Sequence, residues 1–161
     1  MGATKQEVAS YTKPDVVPVY KYKVEIDSTP TGQSRTWKEL CAGFNNISEA
    51  LNEQIQQYFF LCGKGHAVNY VTGMAPTVTL TGVRVVGDDA QDYIFGKKYE
   101  LMSDRDTHLK ITRDGTTPQI VSANVTFCNL SDVSGGTTDG SAISVEIRFN
   151  GAPYIGDAWA T

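Results

Sequence analysis

The chain has 161 residues, the length of a single domain, and is long enough to bury roughly two thirds of the surface an unfolded chain exposes. With 40% hydrophobic and 20% charged residues it is neither a disordered nor a fibrous chain, and no apolar run approaches the ~20 residues of a membrane helix. A net charge of −4 without a Lys/Arg cluster argues against a nucleic-acid-binding domain. The 17 Thr, 15 Val, 9 Ile and 8 Tyr against only 7 Leu favour a pleated, half-buried surface, so the composition reads as mainly β.

Residues 1–15 are polar, with no apolar period and Pro14 near their end, and are expected to form an extended N-terminal arm. Residues 16–161 are expected to form a single domain. Met1–Glu7 lacks the apolar stretch of a secretory leader. Tyr20, Tyr22, Val24 and Ile26 alternate with Lys21, Lys23 and Glu25, which predicts a strand with one wet face. After a turn through Pro30 and Gly32, Thr36–Cys41 returns as its hairpin partner. The stretch 44–62 is ambiguous. Ile47, Leu51, Ile55 and Phe59 sit four apart, as on a helix that Ser48 would cap, whereas Tyr58-Phe59-Phe60 is a strand-like cluster, so the stretch reads as a helix or an irregular loop.

Ala67–Val71 reads as a short strand and Thr77–Val86 as the clearest one, with Val78, Leu80, Val83 and Val85 apolar and Gly82 breaking the alternation as a bulge does. Asp88 to Gly96 carries acidic residues at its start and Gly at its end, the pattern of a short helix over 88–95. Strands are predicted over 97–103, 107–113, 119–128 and 141–150. In the last, Ile143, Val145, Ile147 and Phe149 alternate with Ser144, Glu146 and Arg148. Seven or eight antiparallel strands with one flanking helix make a β-sandwich or barrel.

No catalytic constellation assembles. His66 and His108 are isolated, and neither a GxSxG elbow nor a phosphate-binding loop is present around Gly63-Lys64-Gly65. Asp88, Asp89 and Asp92 suit a helix start better than a metal site, and Asp104 and Asp106 suit a turn. Cys41, Cys62 and Cys128 are odd in number and lack CxxC spacing, so they read as small buried apolar residues. Tyr154 and Trp159 read as anchors for the tail of the chain, with a sugar-stacking platform as the competing reading. No catalytic, cofactor-binding or metal-binding residue is assigned, no cofactor is expected, and the protein does not read as an enzyme.

The order of elements resembles the tail tube (major tail) proteins of tailed bacteriophages. The resemblance lies in the polar arm, the first hairpin and the segment Pro76–Gly96, where a Thr/Gly-rich strand leads into Gly87-Asp88-Asp89-Ala90-Gln91-Asp92-Tyr93-Ile94. It implies a structural subunit whose sheets join in hexameric rings, which stack into a tube that delivers DNA to the host. The implied partners are copies of the chain itself, with tape measure, tail terminator and baseplate or tail tip proteins. Genomic DNA would pass through the lumen without specific binding, and no membrane is involved. The implied location is the virion tail, reached from the host cytoplasm during assembly. A tube subunit of a contractile injection or bacteriocin particle, or a monomeric β-sandwich binding module, is the alternative. Residues 1–15, with the loops at 27–35 and 131–140, are expected to form contacts between stacked rings.

Overall fold

The computed structural model describes residues 12–115 and 118–156; the expected arm through Tyr11 and Trp159 lie outside them. The first strands are β1 (Tyr22–Asp27), β2 (Trp37–Glu39), β3 (Phe44–Ala50), β4 (Gln54–Phe59), β5 (Ala67–Gly73) and β6 (Thr77–Val83). Helix α1 (Asp89–Gly96) follows, then β7 (Asp106–Arg113), β8 (Gln119–Ser131), β9 (Ala142–Phe149) and β10 (Tyr154–Ile155). The mainly β class with one short helix is as expected, though the described residues hold ten strands, more than the seven or eight predicted.

One antiparallel sheet runs in the order β2-β1-β7-β8-β9-β6-β3, and β10 adds to β8. Its two edge strands, β2 and β3, are consecutive in the chain and joined by residues 40–43, so the sheet rolls until its edges approach without pairing. Alternation supplies the filling. Val24 and Ile26 of β1, Val78 and Leu80 of β6, Val125 and Phe127 of β8, and Val145 and Ile147 of β9 form one buried cluster with Ala90 and Ile94 of α1. The predicted register of β9 is observed: Ile143, Val145 and Ile147 are buried and Phe149 packs at the cluster's edge, while Ser144, Glu146 and Arg148 face outward.

Helix α1 begins where predicted. The Asp88 carboxylate accepts from the Gln91 N–H at 2.9 Å, an N-cap, and Asp89 and Asp92 complement the helix dipole. Gln91, fully buried, then locks the helix to the roll. Its amide nitrogen donates to the carbonyls of Ala42 (2.7 Å) and Val83 (3.1 Å), and its amide oxygen accepts from the Val85 N–H (2.9 Å).

Several expectations are corrected. Residues 44–62 are not helical but form β3, β4 and a turn. A spacing of four is also a multiple of two, so Ile55 and Phe59 share one face of a strand as readily as of a helix. Residues 97–103 form no strand: Lys97, Lys98 and Glu100 close successive turns, and a 3-10 segment Met102–Arg105 follows. Gly82 is not bulged against β9, with which β6 pairs in unbroken register. The irregularity lies in β3, between Phe44 and Asn46, and Gly82 faces it because a Cβ there would sit 1.9 Å from the Gly43 carbonyl oxygen. Val83 and Val85 are exposed edge positions rather than core. Cys41 and Cys62 are exposed, lying in the link between β2 and β3 and in the turn after β4, and only Cys128 is partly buried.

Candidate assembly surfaces

The residues that were weighed for chemistry do not converge. Asp88 caps the helix, Asp89 pairs with Lys38 at 3.0 Å, and Asp92 pairs with Arg84 at 2.5 Å. Asp106 accepts from the Thr126 hydroxyl at 2.5 Å. His66 is exposed in the turn before β5, far from the surroundings of His108. Among the described residues no three His, Cys, Asp or Glu side chains group as metal ligands. Tyr154 lies exposed on β10.

Asp27, the most deeply buried carboxylate among the described residues, closes the first hairpin. It accepts from the backbone N–H groups of Thr29 (2.9 Å) and Thr36 (3.0 Å) and from Arg35 (3.1 Å), with His108 Nδ1 at 3.0 Å. Burial opposes its charge, but the hydrogen bonds from Thr29, His108, Thr36 and Arg35 outweigh that cost and hold its pKa below the ordinary aspartate value. One carboxylate oxygen fastens the 28–36 loop through Thr29 and Thr36, and the other joins Arg35 of that loop to His108 of β7, so the cluster is structural.

Three surfaces remain that the fold leaves unsatisfied. The first is the β4–β5 hairpin, which leaves the main sheet between β3 and β6 as a separate two-stranded ribbon. Every residue of β4 is exposed, as are the five central residues of β5. Its base is fastened by the Ala75 N–H to the Leu51 carbonyl (3.0 Å) and by the Asn52 amide to the Ala75 carbonyl (2.9 Å). Ile55, Tyr58, Phe59, Val68, Tyr70 and Val71 all stand in solvent, and Tyr58 stacks on Phe60 with ring centroids 6.1 Å apart. A lone two-stranded ribbon is marginal in water, and an apolar patch of this kind marks a contact surface. Sequence reasoning missed it. Its signal was the aromatic run beside Gly63-Lys64-Gly65, which was read as an ambiguous segment rather than as one strand of a pair.

The second surface is a pair of strand edges. Among the described residues β3 pairs only with β6, and no described strand pairs with its other edge. At the opposite side of the same half of the sheet, β8 continues from Phe127 to Ser131 beyond the end of its pairing with β7 at Asp106 and Thr126.

The third is the outer face of β3, β6, β9 and β8. β6 presents Thr77, Thr79 and Thr81, and β3 sets Ala50, Ser48 and Asn46 beside them in register. On the other side, β9 sets Arg148, Glu146 and Ser144 beside the same threonines, and β8 adds Thr126 and Cys128. The two charged groups are joined: Glu146 Oε1 accepts from Arg148 Nε at 2.6 Å. The other oxygen accepts from the Asn129 amide at 2.6 Å. The Asn129 bond, then the Arg148 bond, hold the Glu146 carboxyl below the usual glutamate pKa. The face is polar, and its two charged side chains are paired with each other.

Against solved structures, the chain superposes on the tail of an empty gene transfer agent particle with C6 symmetry at a TM-score of 0.68, covering 86% of this chain and 98% of that one at 13% identity. The fold is that of a tail-tube subunit. The SPP1 tail tube matches with a TM-score of 0.64 over 87% of this chain and 78% of that one, at 12% identity. A chain of the sheath-tube complex of an extracellular contractile injection system in its extended state matches with a TM-score of 0.56, over 97% of this chain and 99% of that one at 16% identity. No known family pattern and no curated protein matches the sequence. The mainly β architecture with one flanking helix is the one that the resemblance of Pro76–Gly96 implied.

Proposed function

We propose that the chain is a structural tube subunit of a phage-type tail, and not an enzyme. The observation that carries this reading is the exposed apolar hairpin, a ribbon that needs a second subunit to cover it, on a fold shared with a C6-symmetric tail. The bare β3 edge and the Phe127–Ser131 edge of β8 lie at opposite sides of one half-sheet, so the edge of one copy can pair with the other edge of the next. Such a head-to-tail contact generates a ring, and ring closure removes both edges. The buried cluster and α1 lie on the far side of that half-sheet from its hydroxyl face. In a closed ring of wedge-shaped subunits the bulk goes to larger radius, which puts the hydroxyl face on the lumen. Hexameric rings then stack through the hairpin, and DNA passes down the lumen toward the host.

On this reading residues 1–15 serve as an arm on the 16–161 domain, the partners are further copies with tape measure, terminator and baseplate or tip proteins, and the site of action is the virion tail. The full-length match to a contractile injection system chain favours one second reading, a tube subunit of such a particle.

Electron microscopy of the purified protein tests the proposal: rings or tubes are the expected result, and a persistent monomer at high concentration overturns it. The free subunit should also show negligible duplex-DNA affinity at physiological salt, since no basic stripe exists to release counterions.

A further inference from the structure

The lumen face contains one pair of charges among small polar side chains, and the surroundings of that pair are built. At the irregular register of β8 between Cys128 and Ser131, Asn129 adopts a left-handed backbone with φ of 50°. That conformation is uncommon for a non-glycine residue, and irregularities of this kind re-aim a side chain. Here Asn129 is aimed at Glu146, fixing one carboxylate oxygen while the other holds Arg148. Glu146 is shielded, with 21% of its side chain exposed, whereas Arg148 stands out at 56%. Arg148 is thus the only cation presented by these strands toward the lumen, and a guanidinium is the side chain best shaped to grip a phosphodiester.

We infer that Glu146, held by Asn129, masks Arg148 so that the lumen wall does not grip the phosphate backbone of DNA moving past it. The inference rests on the tube reading, which places this face inward. A close pair of opposite charges presents a dipole whose field falls off faster than that of a lone charge. A guanidinium repeated around each ring and along a stack would instead retain a polyanion, because each neutralised phosphate releases counterions. The hydroxyls of Thr79 and Thr81 can exchange weak hydrogen bonds with water or phosphate without fixing either, so the wall suits a nucleic acid that must slide.

The test compares tubes of the wild-type chain, Glu146→Gln, Glu146→Gln/Arg148→Gln and, as a charge-matched control, Glu53→Gln, which lies in the exposed turn before β4. Each is sedimented with a short fluorescent DNA duplex over a range of salt. Glu146→Gln tubes should retain several-fold more duplex than wild type, with the excess lost as salt rises. The double variant and Glu53→Gln should match wild type. Equal retention by Glu146→Gln and wild-type tubes overturns the inference, as does a similar gain in Glu53→Gln, which would trace the effect to net charge. If the wild-type chain forms no tubes, the tube reading itself fails. Masking is then read on free subunits by elution from phosphocellulose, where Glu146→Gln must elute at higher salt than Glu53→Gln for the mask to stand.

Discussion

A buried carboxylate survives in a fold only when its hydrogen bonds outweigh the loss of water, and Asp27 shows what that requires. Two backbone N–H groups and Arg35 converge on it with His108 close by, and its pKa is depressed as a result. A depressed folded-state pKa contributes stability that is present above the unfolded value and lost as pH falls through the folded one. Asp27→Asn should therefore cost about 2–3 kcal/mol at pH 7, because the charge-assisted bonds are lost and the N–H groups of Thr29 and Thr36 face a weaker or reversed partner. In urea titrations the gap between Asp27→Asn and wild type should narrow as pH drops below the ordinary aspartate range; a gap constant down to pH 2 would refute the charge argument. Neither Asp27 nor Gln91 was legible as a keystone. Arg35 and Val83 are local partners, but His108 and Ala42 lie 81 and 49 residues away in the chain and are brought close only by the folded sheet.

Elements differed in how plainly the sequence announced them, and the reason is where their faces end up. β9 alternates without a fault because one face lies in the core and the other on an open polar surface, and α1 was legible from its cap. The β4–β5 ribbon has no buried face, so its residues carry no alternation to read. The Lys97–Arg105 link looked strand-like because Tyr99 and Leu101 are two apart, yet both are exposed, and Arg105 ties the link down through the carbonyls of Glu100 (2.7 Å) and Lys98. Two substitutions probe the packing. Ile147→Asp places a charge at a fully buried position opposite Val78 and should abolish folding, since an unpaired buried charge costs several kcal/mol. Gly82→Ala forces a Cβ against the Gly43 carbonyl where the β2–β3 link crosses the sheet. It should lower the melting temperature by several degrees, equivalent to about 1–3 kcal/mol. An unchanged melt for Gly82→Ala would mean that this crossing relaxes freely.

For the whole molecule, the decisive question in the proposed tube is what would hold one ring to the next. Charge offers one driving force: residues 1–38 carry +2 and residues 131–161 carry −3, so contacts between those regions would weaken with salt. The described loops, however, spend their polar groups internally. Asp27 fastens the 28–36 loop, and Asp132 is paired with Lys98 at 2.7 Å. The hairpin instead offers Ile55, Tyr58, Phe59 and Tyr70 as exposed apolar side chains that no described segment outside the ribbon covers. Apolar contacts are strengthened by salting-out ions, whereas exposed ion pairs are screened. Tube formation followed by light scattering should therefore rise with added sulfate. A Phe59→Ser/Tyr70→Ser double variant should melt within about a degree of wild type, since exposed substitutions seldom shift stability by more than ~0.5 kcal/mol. The same variant should stop at single rings or short stacks under the electron microscope. Long tubes from it, or tubes that dissolve as sulfate is added, would show that ring stacking runs through the charged regions instead of the hairpin.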